Sequence, residues 1–89
     1  MSRSSFTFKL TVPNDPVGAS VVAVVATHAV EYARIEGPAG AAFVDRARNT
    51  ALNAMKGADG RPCLVIVAAV KGQLTVTIGS HTVTEPLPA

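Results

Sequence analysis

DRARNTALNAMK, residues 45–56, is the stretch from which the fold of this chain can be read. On a helix advancing about 100° per residue, Phe43, Val44, Ala47, Ala51, Ala54 and Met55 fall within one third of the circumference. Asp45, Asn49, Asn53 and Lys56 fall together on the opposite side. Such a helix buries one flank and offers amides on the other. Asn49 and Asn53 stand four residues apart, so their side chains stack one turn apart and reach the same ligand or partner. Leu52 is the exception on this polar face, projecting among the amides instead of into the core. A leucine ringed by hydrogen-bonding groups has the make-up of a small interface centre with a polar rim. Asp45, Asn49, Leu52, Asn53 and Lys56 are therefore the candidate partner-binding residues.

Working outward toward the N-terminus, Glu36-Gly37-Pro38-Ala39-Gly40 marks the boundary before this helix, which is expected over about 40–55. Gly37 suits a left-handed helix end, and Pro38 cannot continue a helix that arrives from upstream. That upstream helix is expected from Pro16 to about Ile35, with Asn14 or Asp15 capping its first amides and Pro16 at its first position. Val17, Val21, Val24, His28, Tyr32 and Ile35 form one stripe along it, and Val22, Val25 and Ala29 widen that stripe. Most of its surface is expected to be buried, His28 included. Before it, Phe6, Phe8, Leu10 and Val12 alternate with Thr7, Lys9 and Thr11, the period of a half-buried strand.

Working outward toward the C-terminus, Lys56-Gly57-Ala58-Asp59-Gly60 is a loop with a turn at Asp59-Gly60. Cys63 to Val70 is an apolar run without alternation, as for a central strand covered on both faces. Leu74, Val76 and Ile78 alternate with Thr75 and Thr77, and Lys71-Gly72 between the two runs reads as a tight hairpin. Residues 80–89, with Pro86 and Pro88, are expected to form a loose tail. The chain is thus a single domain with a folded core over residues 5–79. The fold class is α+β, two-layer: a three-stranded, mostly antiparallel sheet with two helices on one face, in the order β-α-α-β-β. Thr7, Lys9, Thr11, Thr75 and Thr77 would flank the apolar centre strand on the open face, leaving hydrophobic surface for a second chain to cover.

Composition narrows the function. Hydrophobic residues make up 48% of the 89 residues but aromatic ones only 4%, so Val, Ala, Leu and Ile must build the core. A single core of this size gives only a few kcal/mol of net stability, which favours association; a homodimer through the sheet face or an edge strand is expected. The net charge of +2 comes from scattered Lys and Arg with no basic stripe, so nucleic acid is not the partner. Cys63, the single cysteine, sits in an apolar run as a small hydrophobe, and a reducing cytoplasm is the expected compartment. Val17 to Ala26 is apolar enough for a signal-peptide core, but the strand pattern and Asn14-Asp15 before it point to a folded element. The run is also shorter than the roughly 20 residues of a membrane span.

Phe8-Lys9-Leu10-Thr11-Val12-Pro13-Asn14-Asp15-Pro16 resembles the opening strand and turn of anti-sigma-factor serine kinases, a branch of the GHKL (histidine-kinase-like) ATPase superfamily. Asn49-Thr50-Ala51-Leu52-Asn53-Ala54 resembles that family's N-box helix, and Gly72-Gln73-Leu74-Thr75-Val76-Thr77-Ile78 the hairpin strand that follows. The likeness covers roughly residues 6–80 and implies the first half of such an ATPase domain. By that likeness, Asn53 stands where the family holds magnesium with an asparagine, and Asn49 stands where the family has its general-base glutamate. An amide has no usable proton affinity near neutrality, so Asn49 cannot take a proton from water or a serine hydroxyl. The family's Asp-Gly-Gly nucleotide motif falls on Ile78-Gly79-Ser80-His81-Thr82, where one glycine remains and the aspartate is missing. The lid and further strands would need dozens more residues than the tail supplies. Magnesium held by one amide alone would bind weakly.

No other chemistry stands out. The His and Cys positions have no zinc spacing, there is no G-x-S-x-G elbow, and the glycines form no phosphate loop. Ser80-His81 has no third group to orient it. The expectation is a non-catalytic regulatory or interaction module, a shortened relative of the anti-sigma kinases with no cofactor and no metal. Its implied partner is a sigma factor, an antagonist or another signalling domain. The alternative is a nucleotide binder or weak kinase that completes its site with another chain and uses Asn53 for magnesium.

Overall fold

The structure, a computed structural model, describes residues 6–56, 60–70 and 72–87. Lys71 of the expected hairpin and Asp59 of the expected turn lie outside the described residues. The elements run β1 (Phe6–Val12), α1 (Pro16–Tyr32), α2 (Pro38–Lys56), β2 (Cys63–Val70), β3 (Gln73–Ile78) and β4 (His81–Pro86). The strands form one antiparallel sheet in the order β1-β2-β3-β4. Both helices pack against one face, α1 toward β1 and β2 and α2 toward β4. The two-layer α+β class is as the sequence implies.

A fourth strand corrects the expectation of a loose tail. Ile78 pairs with His81 across a two-residue turn in which Gly79 has a φ of +61°, and Val83 lies on the buried face opposite Val76. With one apolar residue and alternating polar neighbours, this segment gains its burial from β3 and α2 instead of from its own pattern. Pro86 fits because β4 is an edge strand, where a missing amide donor breaks no ladder.

Local chemistry explains the start of α1. Asp15 is its N-cap and accepts a hydrogen bond from the Gly18 amide at 3.1 Å, and Pro16 fills the first helical position. Asp15→Ala is expected to lower stability by about 1 kcal/mol, read from the urea midpoint, because that amide would lose its partner. The helix ends three residues earlier than the sequence implies. Arg34 takes the left-handed position just after it, with a φ of +61°, and Gly37, expected there, is left-handed as well, with a φ of +69°, in the turn that leads into α2. The Ile35 amide donates to Val30 O at 3.0 Å and the Arg34 amide to Glu31 O at 3.1 Å, a Schellman closure that brings the buried Ile35 against the buried Val30.

The phase of α1 also differs. Gly18, Ala19, Val22, Ala26, Ala29 and Val30 face the core, while Val17, Val24, His28 and Tyr32 are exposed. Valines surround this helix, so hydrophobicity alone does not choose a side. The small residues choose it by permitting close approach. A Cβ at Gly18 would overlap the Pro13 carbonyl oxygen, and one at Gly40 of α2 would lie 2.7 Å from Val30 Cγ1. On α2 the expected stripe is present, with Phe43, Ala47, Ala51, Ala54 and Met55 buried and Val44 half-buried at its edge.

The central strand β2 alternates in burial although its sequence does not. Cys63, Val65, Val67 and Ala69 lie under the helices, paired across to Val12, Leu10, Phe8 and Phe6 of β1. Leu64, Ile66, Ala68 and Val70 turn to the open face, so β2 is covered by helices on one face and not on both. Threonines of β1, β3 and β4 flank them, and Thr77 and Thr82 exchange a hydroxyl contact at 3.3 Å. No helix among the described residues is long and apolar enough to cross a membrane.

Candidate functional site

The solvent face of α2 presents Asp45, Asn49, Asn53 and Lys56, all exposed. The helix carrying them is fixed on two sides. At its end, the Asn14 Nδ2 donates to Met55 O at 3.1 Å, which satisfies one of the carbonyls that a helix leaves open at its C-terminus. Along its flank, Arg46 donates to Glu85 Oε1 at 2.7 Å and to Thr84 O at 3.3 Å, and its guanidinium lies 5.8 Å from the centre of the Phe43 ring. Arg46 thus ties α2 to β4. Sequence reasoning did not single it out, because Glu85 belonged to the segment expected to be loose.

Leu52 does not project as expected. It is half-buried and packs against the core, at the border between the apolar stripe and the polar face. The face is consequently more polar than the sequence implies: one carboxylate, two amides and one ammonium group. Among the described residues, none of these four side chains has a hydrogen-bond or ion-pair partner. Asn49 and Asn53 are one turn apart on it, available to donate and accept together.

His28 is a second correction. It is an exposed residue on α1, with Nδ1 3.8 Å from Glu31 Oε1, and not a core histidine. Cys63 is a buried free thiol, as expected. No group of three or more His, Cys, Asp or Glu residues stands together for a metal ion among the described residues. Gly79, the glycine left at the position of the resemblance's nucleotide motif, is committed to the sheet: its amide donates to Leu64 O at 3.1 Å. Ser80 in the turn and His81 at the start of β4 are exposed.

Fold and site together define a small two-layer α+β domain with an amide-bearing helix face on one side and a threonine-flanked apolar sheet face on the other. No family model, no curated protein and no solved structure matches this chain.

Proposed function

We propose that this chain is a non-catalytic regulatory module that binds a signalling protein through Asp45, Asn49, Asn53 and Lys56 on α2, with Leu52 packed behind them. The observation that carries this reading is the exposed Asn49–Asn53 pair on a helix tied to its surroundings by Asn14 and Arg46. Donor and acceptor groups fixed one turn apart suit a partner's backbone or side chains, and neither amide can act as a general base. By the resemblance to anti-sigma-factor kinases, the partner is a sigma factor, its antagonist or a related signalling domain. The use of the Gly79 amide within the sheet supports the same reading, since that donor is not free for a phosphate. The reading includes a second copy of the chain, because a core of this size gains from association, and a cytoplasmic setting.

The second reading, nucleotide binding in a site completed by another chain, rests on Asn53 being open to solvent where magnesium would be held. Titration calorimetry with Mg-ATP separates the two, and clear micromolar binding would sink the first. For the first, Asn49→Arg is expected to remove capture of the signalling partner from a host-cell extract while shifting Tm by no more than about 4 °C, since surface substitutions cost within about 0.5 kcal/mol. Undiminished capture by Asn49→Arg would show that α2 is not the binding face.

A further inference from the structure

Most of the stripe that the sequence assigns to the core faces outward: Val17, Val24, His28 and Tyr32 are exposed, Val21 is half-buried at its edge and Ile35 alone is buried. Val17, Val21, Val24, His28, Glu31 and Tyr32 occupy an arc of about 100° on α1, turned away from Val22, Ala26 and Ala29. Val17, Val24 and Tyr32 keep 63%, 57% and 60% of their surface exposed. A solvent-facing helix normally carries charges along such an arc. In α1, Glu31 is the one carboxylate and there is no Lys or Arg.

Beside the C-terminal half of α1 lies an open groove of about 650 Å³ that includes Phe6, Phe8, His28 and Tyr32 in its walls. Phe6 meets Tyr32 edge-on at 5.0 Å and stacks with Phe8 at 6.1 Å. Phe43 is the one aromatic residue of the chain that lies elsewhere. The groove and the stripe share His28, Glu31 and Tyr32 and so form one continuous apolar surface. Val17, Val24, Tyr32 and Phe8 alone leave on the order of 400 Å² per copy, most of the roughly 600 Å² that each partner contributes to the smallest stable interfaces. The outer sheet face competes less well: Leu64 and Val70 are 47% and 43% exposed, and Ile66 and Ala68 between them are already half-covered.

We propose that a second copy of this chain covers this surface, with α1 packed antiparallel against α1 about a two-fold axis between Val24 and Val25. The axis follows from the stripe, whose ends are Val17 and Tyr32. Val17 then lies opposite the partner's Tyr32 and enters the partner's groove, and Val21 lies opposite the partner's His28. Charge selects the same arrangement. Glu31, placed unfavourably in the last turn of its own helix, lies beside the first turn of the partner's, where a carboxylate is favourable. A parallel pairing would set Glu31 against Glu31. An interface of this isologous kind is the commonest way for a small domain to complete its burial.

The proposal rests on the self-association in the reading above and is independent of the α2 face, whose test reads capture by Asn49→Arg. Sedimentation velocity of the full chain over a concentration series should show a dimer. Val24→Arg should raise its dissociation constant about 30-fold or more, as for a central interface residue, while circular dichroism shows the helices intact. Mixing Val17→Cys with Tyr32→Cys chains under oxidation should give a disulfide-linked pair, and Val17→Cys alone should not. A wild-type chain that stays monomeric overturns both the self-association and its site. A dimer that survives Val24→Arg but separates on Leu64→Arg overturns the α1 site alone and places the second copy on the sheet.

Discussion

Val67→Arg is expected to abolish folding. Val67 is fully buried, with 0% of its surface exposed, at the centre of the central strand, paired with Phe8 on one side and Val76 on the other beneath the helices. Among the described residues the buried core around it is entirely apolar, so an arginine there finds no carboxylate to pair with. Burying an unpaired charge costs several kcal/mol even after relaxation. A single core of this size supplies about 3–5 kcal/mol in total, so the substitution exceeds what the fold has to lose. Circular dichroism and one-dimensional proton NMR of the purified variant should show an unfolded chain. Ile66→Lys, one residue away on the open face, should cost far less, because its new charge reaches solvent. A folded Val67→Arg protein that had merely lost its dimer would invert the face assignment of the whole strand.

Gly18→Ala is the second large effect, and its sign is opposite to the usual one. In the interior of an exposed helix, replacing glycine by alanine adds about 1 kcal/mol of stability through backbone entropy. At Gly18 the new methyl group would overlap the Pro13 carbonyl oxygen and approach Met55 Cε to 2.9 Å. Met55 can rotate aside, but Pro13 O is backbone, fixed by the end of β1 and by the Asp15 cap two residues on. The first turn of α1 would have to move away from the strand that leads into it. Overpacking of this kind typically costs about 1–3 kcal/mol, and a backbone obstacle sets the expectation at about 3 kcal/mol of net loss. Chemical denaturation measures it directly, and a variant as stable as the parent would mean that α1 does not approach Pro13 so closely. Gly18 is thus a packing residue of the kind that the hydrophobic pattern does not reveal.

The polar face of α2 was legible because Phe43, Ala47, Ala51, Ala54 and Met55 give a single apolar stripe, which fixes the phase of everything else on the helix. The position of Leu52 is not legible for a related reason. It stands at the edge of the stripe, where a neighbouring element decides burial, and the sequence carries no sign of that neighbour. The role of Arg46 has no local signal, because its partner Glu85 lies 39 residues away in a strand with almost no apolar pattern of its own.

What residue order determined by itself was local: the alternation of β1 and β3, the start of α1 at Pro16 after an Asn14 or Asp15 cap, the amphipathic α2, and from these the two-layer α+β class. Each depends on interactions within a few residues, whose geometry a period or a cap encodes directly. Tertiary structure alone decided which side of α1 and of β2 is buried, and that residues 81–86 become a strand. Valine occurs on every side of α1, and nearly every residue of β2 is apolar, so water would expel either face. Close approach at Gly18 and Gly40 selects the face of α1, and pairing with β1 and β3 beneath the helices selects that of β2. β4 is a strand because β3 offers it a free edge and α2 offers it Arg46, contacts that exist only once the rest has folded.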